Sequence, residues 1–184
     1  RTRETGGRSS SVSDQLQCGV SEIFPTISAF AALKEDGSVI TWGNSDSGGN
    51  SSSVSNDLQS GVSQIFSTWT SFAALKEDGS VITWGQSGYG ADSSSVSAQL
   101  QSGVSQIFSS VRAFAALKDD GSVITWGDSV YGGDSSSVSA QLQSGVSQIF
   151  SSQEAFAALK EDGSVITWGN SDSGGNSSSV SAQL

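Results

Sequence analysis

The sequence has 184 residues and a net charge of −10, and only 14% of its side chains are charged, against about 25% in an average soluble domain. That acidity excludes nucleic acid as a partner and disfavours anionic membrane surfaces, because like charges repel. The absence of His excludes Ser-His and Cys-His dyads, imidazole metal ligands and His general bases, and a lone cysteine, Cys18, excludes an internal disulfide. No apolar run approaches the roughly 20 residues of a membrane span. The chain has no Met, which predicts a processed product or a segment of something longer.

The opening 1–8 matches no repeat and reads as an N-terminal tail. From there on the chain is periodic. Thr-Trp-Gly ends at Gly43, Gly85, Gly127 and Gly169, and Val12, Val54, Val96, Val138 and Val180 keep the same step of 42 residues. Residues 9–184 therefore form a single repeat domain with units 9–50, 51–92, 93–134 and 135–176 and a partial fifth at 177–184. Cys18 has Ser60, Ser102 and Ser144 as counterparts, which marks an exposed position.

One unit, taken from Asp92, shows the expected elements in order. The Ser-rich stretch 92–103 predicts a short helix. Asp92 caps it by accepting from the amides two and three residues on. Val96 and Leu100 share a face, and Gly103 takes the left-handed conformation that ends it. So short and Ser-rich a helix is marginal alone and must be held by neighbouring structure. A strand follows at 104–108. The apolar runs 113–118 and 122–126 then flank Asp120-Gly121, a strong hairpin signal. A two-residue turn pairs Leu117 with Ile124 and Ala115 with Trp126, while a three-residue bulged turn shifts the register. In both cases both faces are largely apolar, so both must be covered, here by neighbouring repeats. Trp84 and Trp126, in internal units, are expected to be buried, and Trp42 and Trp168, nearer the ends, to matter less.

The string Ala-Leu-Lys-Glu-Asp-Gly-Ser-Val-Ile-Thr-Trp-Gly at 32–43, with the Gly-containing loop 44–49 after it, resembles the regulator-of-chromosome-condensation repeat family, whose propeller blades carry a similar strand–Asp-Gly–strand–Trp-Gly core. The resemblance covers about half of each unit. It implies propeller-like blades of about three strands plus one short helix per 42-residue unit, a mainly β tandem repeat, with an open β-solenoid-like stack as the alternative. Family repeats are longer and commonly place a His where this chain has Ala29, Ser71, Ala113 and Ala155, so neither nucleotide exchange nor chromatin binding is carried over. The helical segment at 12–16 recurs at 180–184, which favours an open array over a closed four-unit ring.

Chemistry is sparse. Lys34, Lys76, Lys118 and Lys160 read as solvated hairpin ends rather than Ser-Lys catalysts. The acidic pairs Glu35-Asp36, Glu77-Asp78, Asp119-Asp120 and Glu161-Asp162 read as turn residues. Asn44, Asp46 and Asn50 alternate as in a calcium loop, but the second and third units, with Gly88 and Val130 at the middle position, break the pattern. Asn50, Asp92, Asp134 and Asn176 are read as helix caps, ahead of the glycosylation pattern that Asn50 and Asn176 also fit.

No cofactor or metal is implied, and the chain is not expected to be an enzyme. The expected function is a non-catalytic structural or protein-binding module, a scaffold or accessory component of a larger assembly. The alternative is a carbohydrate-binding or cell-surface adhesion module. In a near-perfect repeat the informative positions are those that differ. One variable cluster lies between the first strand and the hairpin, at Ile27-Ser28, Trp69-Thr70, Val111-Arg112 and Gln153-Glu154. Another follows Trp-Gly and carries Asp46, Tyr89, Tyr131 and Asp172. Stacking would align each into a stripe for a partner, with Trp69 and Arg112 as the expected anchors.

Overall fold

The computed structural model describes residues 12–179. The expected tail at 1–8 and residues 180–184 of the partial fifth unit lie outside them. Each unit folds into one three-stranded antiparallel sheet, giving four sheets in tandem with strand order following the chain. Blade 1 holds β1 (Val20–Pro25), β2 (Ala29–Lys34) and β3 (Val39–Gly43). Blade 2 holds β4 (Val62–Ser67), β5 (Ser71–Lys76) and β6 (Val81–Gly85). Blade 3 holds β7 (Val104–Ser109), β8 (Ala113–Lys118) and β9 (Val123–Gly127). Blade 4 holds β10 (Val146–Ser151), β11 (Ala155–Lys160) and β12 (Val165–Gly169).

The Asp-Gly hairpin forms in every blade, but not with the two-residue register. In blade 3 Leu117 pairs with Val123, Ala116 with Ile124 and Phe114 with Trp126, so the loop is the three residues 119–121. Gly121 sits at φ +76°, where a side chain would be strained, and its amide donates to the Lys118 carbonyl at 2.9 Å. The Asp120 carboxylate accepts from the Ser122 amide at 2.9 Å and from its hydroxyl at 2.6 Å. This register sets Phe114 opposite Trp126, and the two rings stack with centroids 5.4 Å apart. A bulge after Val104 shifts the first strand against the second, and there the Ser105 hydroxyl donates to the Leu117 carbonyl at 3.1 Å.

The side chains of the central strands alternate between two apolar faces, as the sequence requires. Ala73, Leu75 and Val81 of blade 2 pack against Leu100, Val104, Ile107, Phe114, Ala116 and Trp126, which belong to unit 3. The same junction forms between blades 1 and 2 and between blades 3 and 4. Trp84, Trp126 and Trp168 thus face the preceding blade, and each indole N–H donates to a carbonyl there: Trp84 to Gly48 at 3.0 Å, Trp126 to Gly90 at 3.0 Å and Trp168 to Gly132 at 3.1 Å. Trp168 is consequently as buried as Trp126, both 2% exposed, although it lies in the last blade. Only Trp42 is half-buried. Position relative to the preceding blade, not distance from the chain ends, decides the burial.

The Ser-rich segment is a 3₁₀ helix rather than an α-helix, at Ser94–Leu100 and Ser136–Leu142, and it shrinks to Ser52–Val54 in unit 2. Asp92, the expected cap, accepts from the Ser94 amide at 3.0 Å in an Asx turn one residue ahead of the helix, whose N-cap is Ser93. Neighbours hold this marginal helix. Leu100 fills the junction between blades at 1% exposure. The Ser135 hydroxyl bonds Thr125 at 2.9 Å, and the Lys118 ammonium donates to the Gln99 carbonyl at 2.9 Å. The hairpin lysine is therefore tied to the end of the preceding helix, as is Lys160 to the Gln141 carbonyl, while Lys76 reaches the Asp57 carbonyl in the turn after the shortened helix of unit 2.

The turn carboxylates make stability depend on pH. Asp36, Asp78, Asp120 and Asp162 are held below the usual carboxylate range, first by the hydroxyl of the serine two residues on and then by its amide. A carboxyl whose folded pKa is depressed stabilises the fold above its unfolded pKa, and that contribution fades as pH falls through the folded value. The melting temperature is therefore expected to fall below about pH 4. A variant with Ser38, Ser80, Ser122 and Ser164 all changed to Ala should lose less over the same interval in a thermal-melt series. Equal losses would trace the acid sensitivity to other groups.

Candidate functional site

The bend between the first and second strand of each blade carries one invariant feature, a hydroxyl. Thr26, Thr68, Ser110 and Ser152 each accept from the amide three residues on, at 3.0–3.1 Å. Each also donates to a carbonyl in the loop after its own blade's Trp-Gly: Ser47, Tyr89, Tyr131 and Ser173, at 2.8–3.0 Å. The bend is thereby locked to its own blade. The next residue then reaches sideways. The Ile27 amide donates to the Trp69 carbonyl at 2.9 Å, Trp69 to Val111 at 3.0 Å, and Val111 to Gln153 at 2.8 Å. This backbone ladder strings the four bends together, and residues 25–27, 67–69, 109–111 and 151–153 line one cavity of about 650 Å³.

The ladder fixes the backbone and leaves the side chains to vary. Ile27 is 64% exposed and Trp69 49% exposed. Gln153 is also exposed, and Val111 is half-buried. These are four different side chains held in a row by one repeated hydrogen bond.

Of the neighbouring positions 28, 70, 112 and 154, the side chains of Arg112 and Glu154 reach the loop after Trp-Gly. Thr70 is buried. The Glu154 carboxylate accepts from Asn170 Nδ2 at 2.8 Å and from the Ser173 hydroxyl at 2.9 Å. The Arg112 guanidinium lies between the rings of Tyr89 and Tyr131, 4.6 and 4.7 Å from their centroids, with the Asp128 carboxylate 3.7 Å away. Arg112 thus leaves the row of Ile27, Trp69, Val111 and Gln153 and joins Tyr89 and Tyr131 instead, and the two expected stripes mix. The Tyr rings already carry a cation on one face. Variation is paired here: Arg112 stands with Asp128 and Glu154 with Asn170, each partner 16 residues on. In the sequence only the opposite charges of Arg112 and Asp128 signal such a pair, since Asn stands 16 residues after both Ser28 and Glu154.

The loop itself is a single 3₁₀ turn. Asn44, Asp128 and Asn170 accept from the amide two residues on at 2.9 Å. In the first unit this makes Asp46 an amide donor to Asn44 within an Asx turn. Cys18 is a free, exposed thiol. Among the described residues no helix is long and apolar enough to cross a membrane.

No family model matches the sequence, and no curated protein matches it. Solved structures share the fold. Human WBSCR16 aligns with a TM-score of 0.51 at 20% identity, over 82% of this chain and 47% of that one. Yeast RCC1 (Prp20), solved bound to Kap60, aligns with a TM-score of 0.55 at 13% identity, over 84% of this chain and 44% of that one. The ectodomain of the Physcomitrella patens receptor kinase CR4 aligns with a TM-score of 0.50 at 14% identity, over 82% and 39%. This chain spans less than half the length of each of these three proteins. The class is a tandem array of propeller-type blades, each of three strands with two short 3₁₀ segments where the sequence predicts one short helix, mainly β throughout.

Proposed function

We propose that the chain is a non-catalytic protein-binding repeat module, a scaffold component that engages its partner along the row Ile27, Trp69, Val111 and Gln153. The observation that carries this reading is the row itself. One backbone hydrogen bond between each pair of neighbouring bends aligns four side chains that the fold leaves free to differ, and two of them are large, apolar and exposed. An exposed Trp beside an exposed Ile on a concave surface matches the composition of binding hot spots. With a net charge of −10, the surrounding surface favours a partner segment that is apolar with flanking Lys or Arg. Further support comes from the same fold in yeast RCC1, which has been solved with Kap60 bound.

The test is a selection of displayed random peptides on the immobilised chain, followed by binding of the selected peptides to a Trp69→Ser, Ile27→Ser double variant. Binding should fall more than about tenfold. The melting temperature should barely move, since exposed substitutions away from structural bonds stay within about 0.5 kcal/mol. Selected peptides that bind the double variant as tightly as the parent would place the contact surface elsewhere.

A further inference from the structure

The four bends are joined by single backbone hydrogen bonds of 2.8–3.0 Å, each from the amide of one bend to a carbonyl of the next. Chain segments bonded in this way lie about 5 Å apart, as neighbouring strands do in a sheet. Ile27, Trp69, Val111 and Gln153 therefore stand in a row whose three steps cover about 15 Å. That length separates the possible occupants. Four apolar side chains at positions i, i+4, i+7 and i+11 of an α-helix span about 16 Å, since each residue rises about 1.5 Å. Four side chains on one face of an extended segment span about 20 Å, and a single turn of polyproline helix advances about 9 Å. Only the α-helix keeps step with the blades along the whole row.

Trp69 and Val111 belong to internal blades, so blades on both sides set their surroundings. On the same ladder Trp69 is 49% exposed and Val111 is half-buried, which leaves a hollow over Val111 beside the larger ring. The wall two residues back is low, because Ser67 and Ser109 are small. The hydroxyls of Thr68 and Ser110, between wall and row, are spent on the Tyr89 and Tyr131 carbonyls, so an apolar occupant strips no partner from them. Resting on the protein-binding reading of this row, we infer that it seats one amphipathic α-helix of a partner protein, one turn per blade. A large apolar side chain of that helix fills the hollow over Val111. Lys or Arg on the helix flanks complement the chain's net charge of −10.

Two displayed peptide libraries of equal size test the helix apart from the row. One randomises positions i, i+4, i+7 and i+11 of an Ala- and Lys-rich helical scaffold. The other randomises four alternate positions of a Thr- and Lys-rich extended scaffold. Selection on the immobilised 184-residue chain should draw binders from the helical library. Synthetic copies of these should gain a helical far-UV circular dichroism signal on binding. Val111→Trp should weaken them more than about tenfold by filling the hollow, and a Pro at the peptide's centre should do the same. The variant's melting temperature should hold, since blade 2 carries a Trp at the equivalent place. Binders drawn from the extended library and weakened by Val111→Trp overturn the helix while leaving the row as a binding surface. Binders from either library that Val111→Trp leaves unaffected overturn the seating. If the Trp69→Ser, Ile27→Ser double variant leaves them unaffected too, the row is not the contact surface. An absence of binders from both libraries overturns the inference as well.

Discussion

Replacing Trp126 with Ala is expected to lower the free energy of unfolding by about 3–5 kcal/mol, the range for deleting a buried aromatic side chain. Three losses coincide at this residue. The side chain is 2% exposed, so its removal leaves a void between blades 2 and 3. Its stacking on Phe114, 5.4 Å between centroids, disappears. The Gly90 carbonyl also loses the indole donor that reaches it at 3.0 Å, and a buried acceptor without a partner costs about 1–3 kcal/mol. Trp126→Phe separates the terms, since it retains a stacked ring and loses only the hydrogen bond and some volume. Trp168→Ala should match Trp126→Ala, and Trp42→Ala should cost less. Equilibrium urea unfolding measures all four. A loss under about 1 kcal/mol at Trp126 would show that the blade junction does not depend on it.

Gly90→Ala should be nearly as damaging, at about 2–5 kcal/mol. Gly90 holds φ at +99°, where a side chain costs about 1–2 kcal/mol. A Cβ there would stand 2.6 Å from Cδ2 of Phe114, and overpacking a buried ring adds about 1–3 kcal/mol. The ring has no room to yield, because Trp126 stacks on it. Gly48 and Gly132 hold the same conformation against Phe72 and Phe156 and should respond alike. The adjacent position behaves differently, although it is just as crowded. A Cβ on Gly133 would lie 2.4 Å from the Gly127 carbonyl oxygen, yet blade 2 carries Ala91 at the equivalent place. The loop gives way there: the Ala91 amide bond to Gln86 is 3.3 Å, against 2.8 Å for Gly133 to Asp128. Urea unfolding of Gly90→Ala beside Gly133→Ala checks the contrast, and equal costs would refute it.

Much of the blade was readable from local chemistry. Asp120-Gly121 announced the hairpin, Trp-Gly its end, and the alternation of Phe114, Ala115 and Ala116 the two covered faces. The register was not readable, because Asp-Gly serves two- and three-residue loops alike and only the left-handed Gly121 with its Lys118 bond decides between them. Trp168 was misplaced for a different reason. Burial at a chain end depends on which face meets the previous blade, and a repeat pattern has no direction until the sheets are packed. The row of Ile27, Trp69, Val111 and Gln153 was visible as variation. Its neighbour Arg112 was assigned to the same surface because adjacent residues look equivalent in a sequence, although they point to opposite sides of an extended bend.

The indole-to-carbonyl bonds join residues 36 positions apart, and among the described residues the backbone hydrogen bonds between blades span at most one 42-residue period. Loop-closure entropy is thus the same modest quantity at every junction, whatever the number of units. Folding can begin at any adjacent pair and spread outward, as along a one-dimensional lattice, with rates set by neighbours rather than by total length. Duplication of the 42-residue coding stretch inserts one blade together with one ready-made junction, so the number of blades can change in a single genetic event without any residue having to adapt.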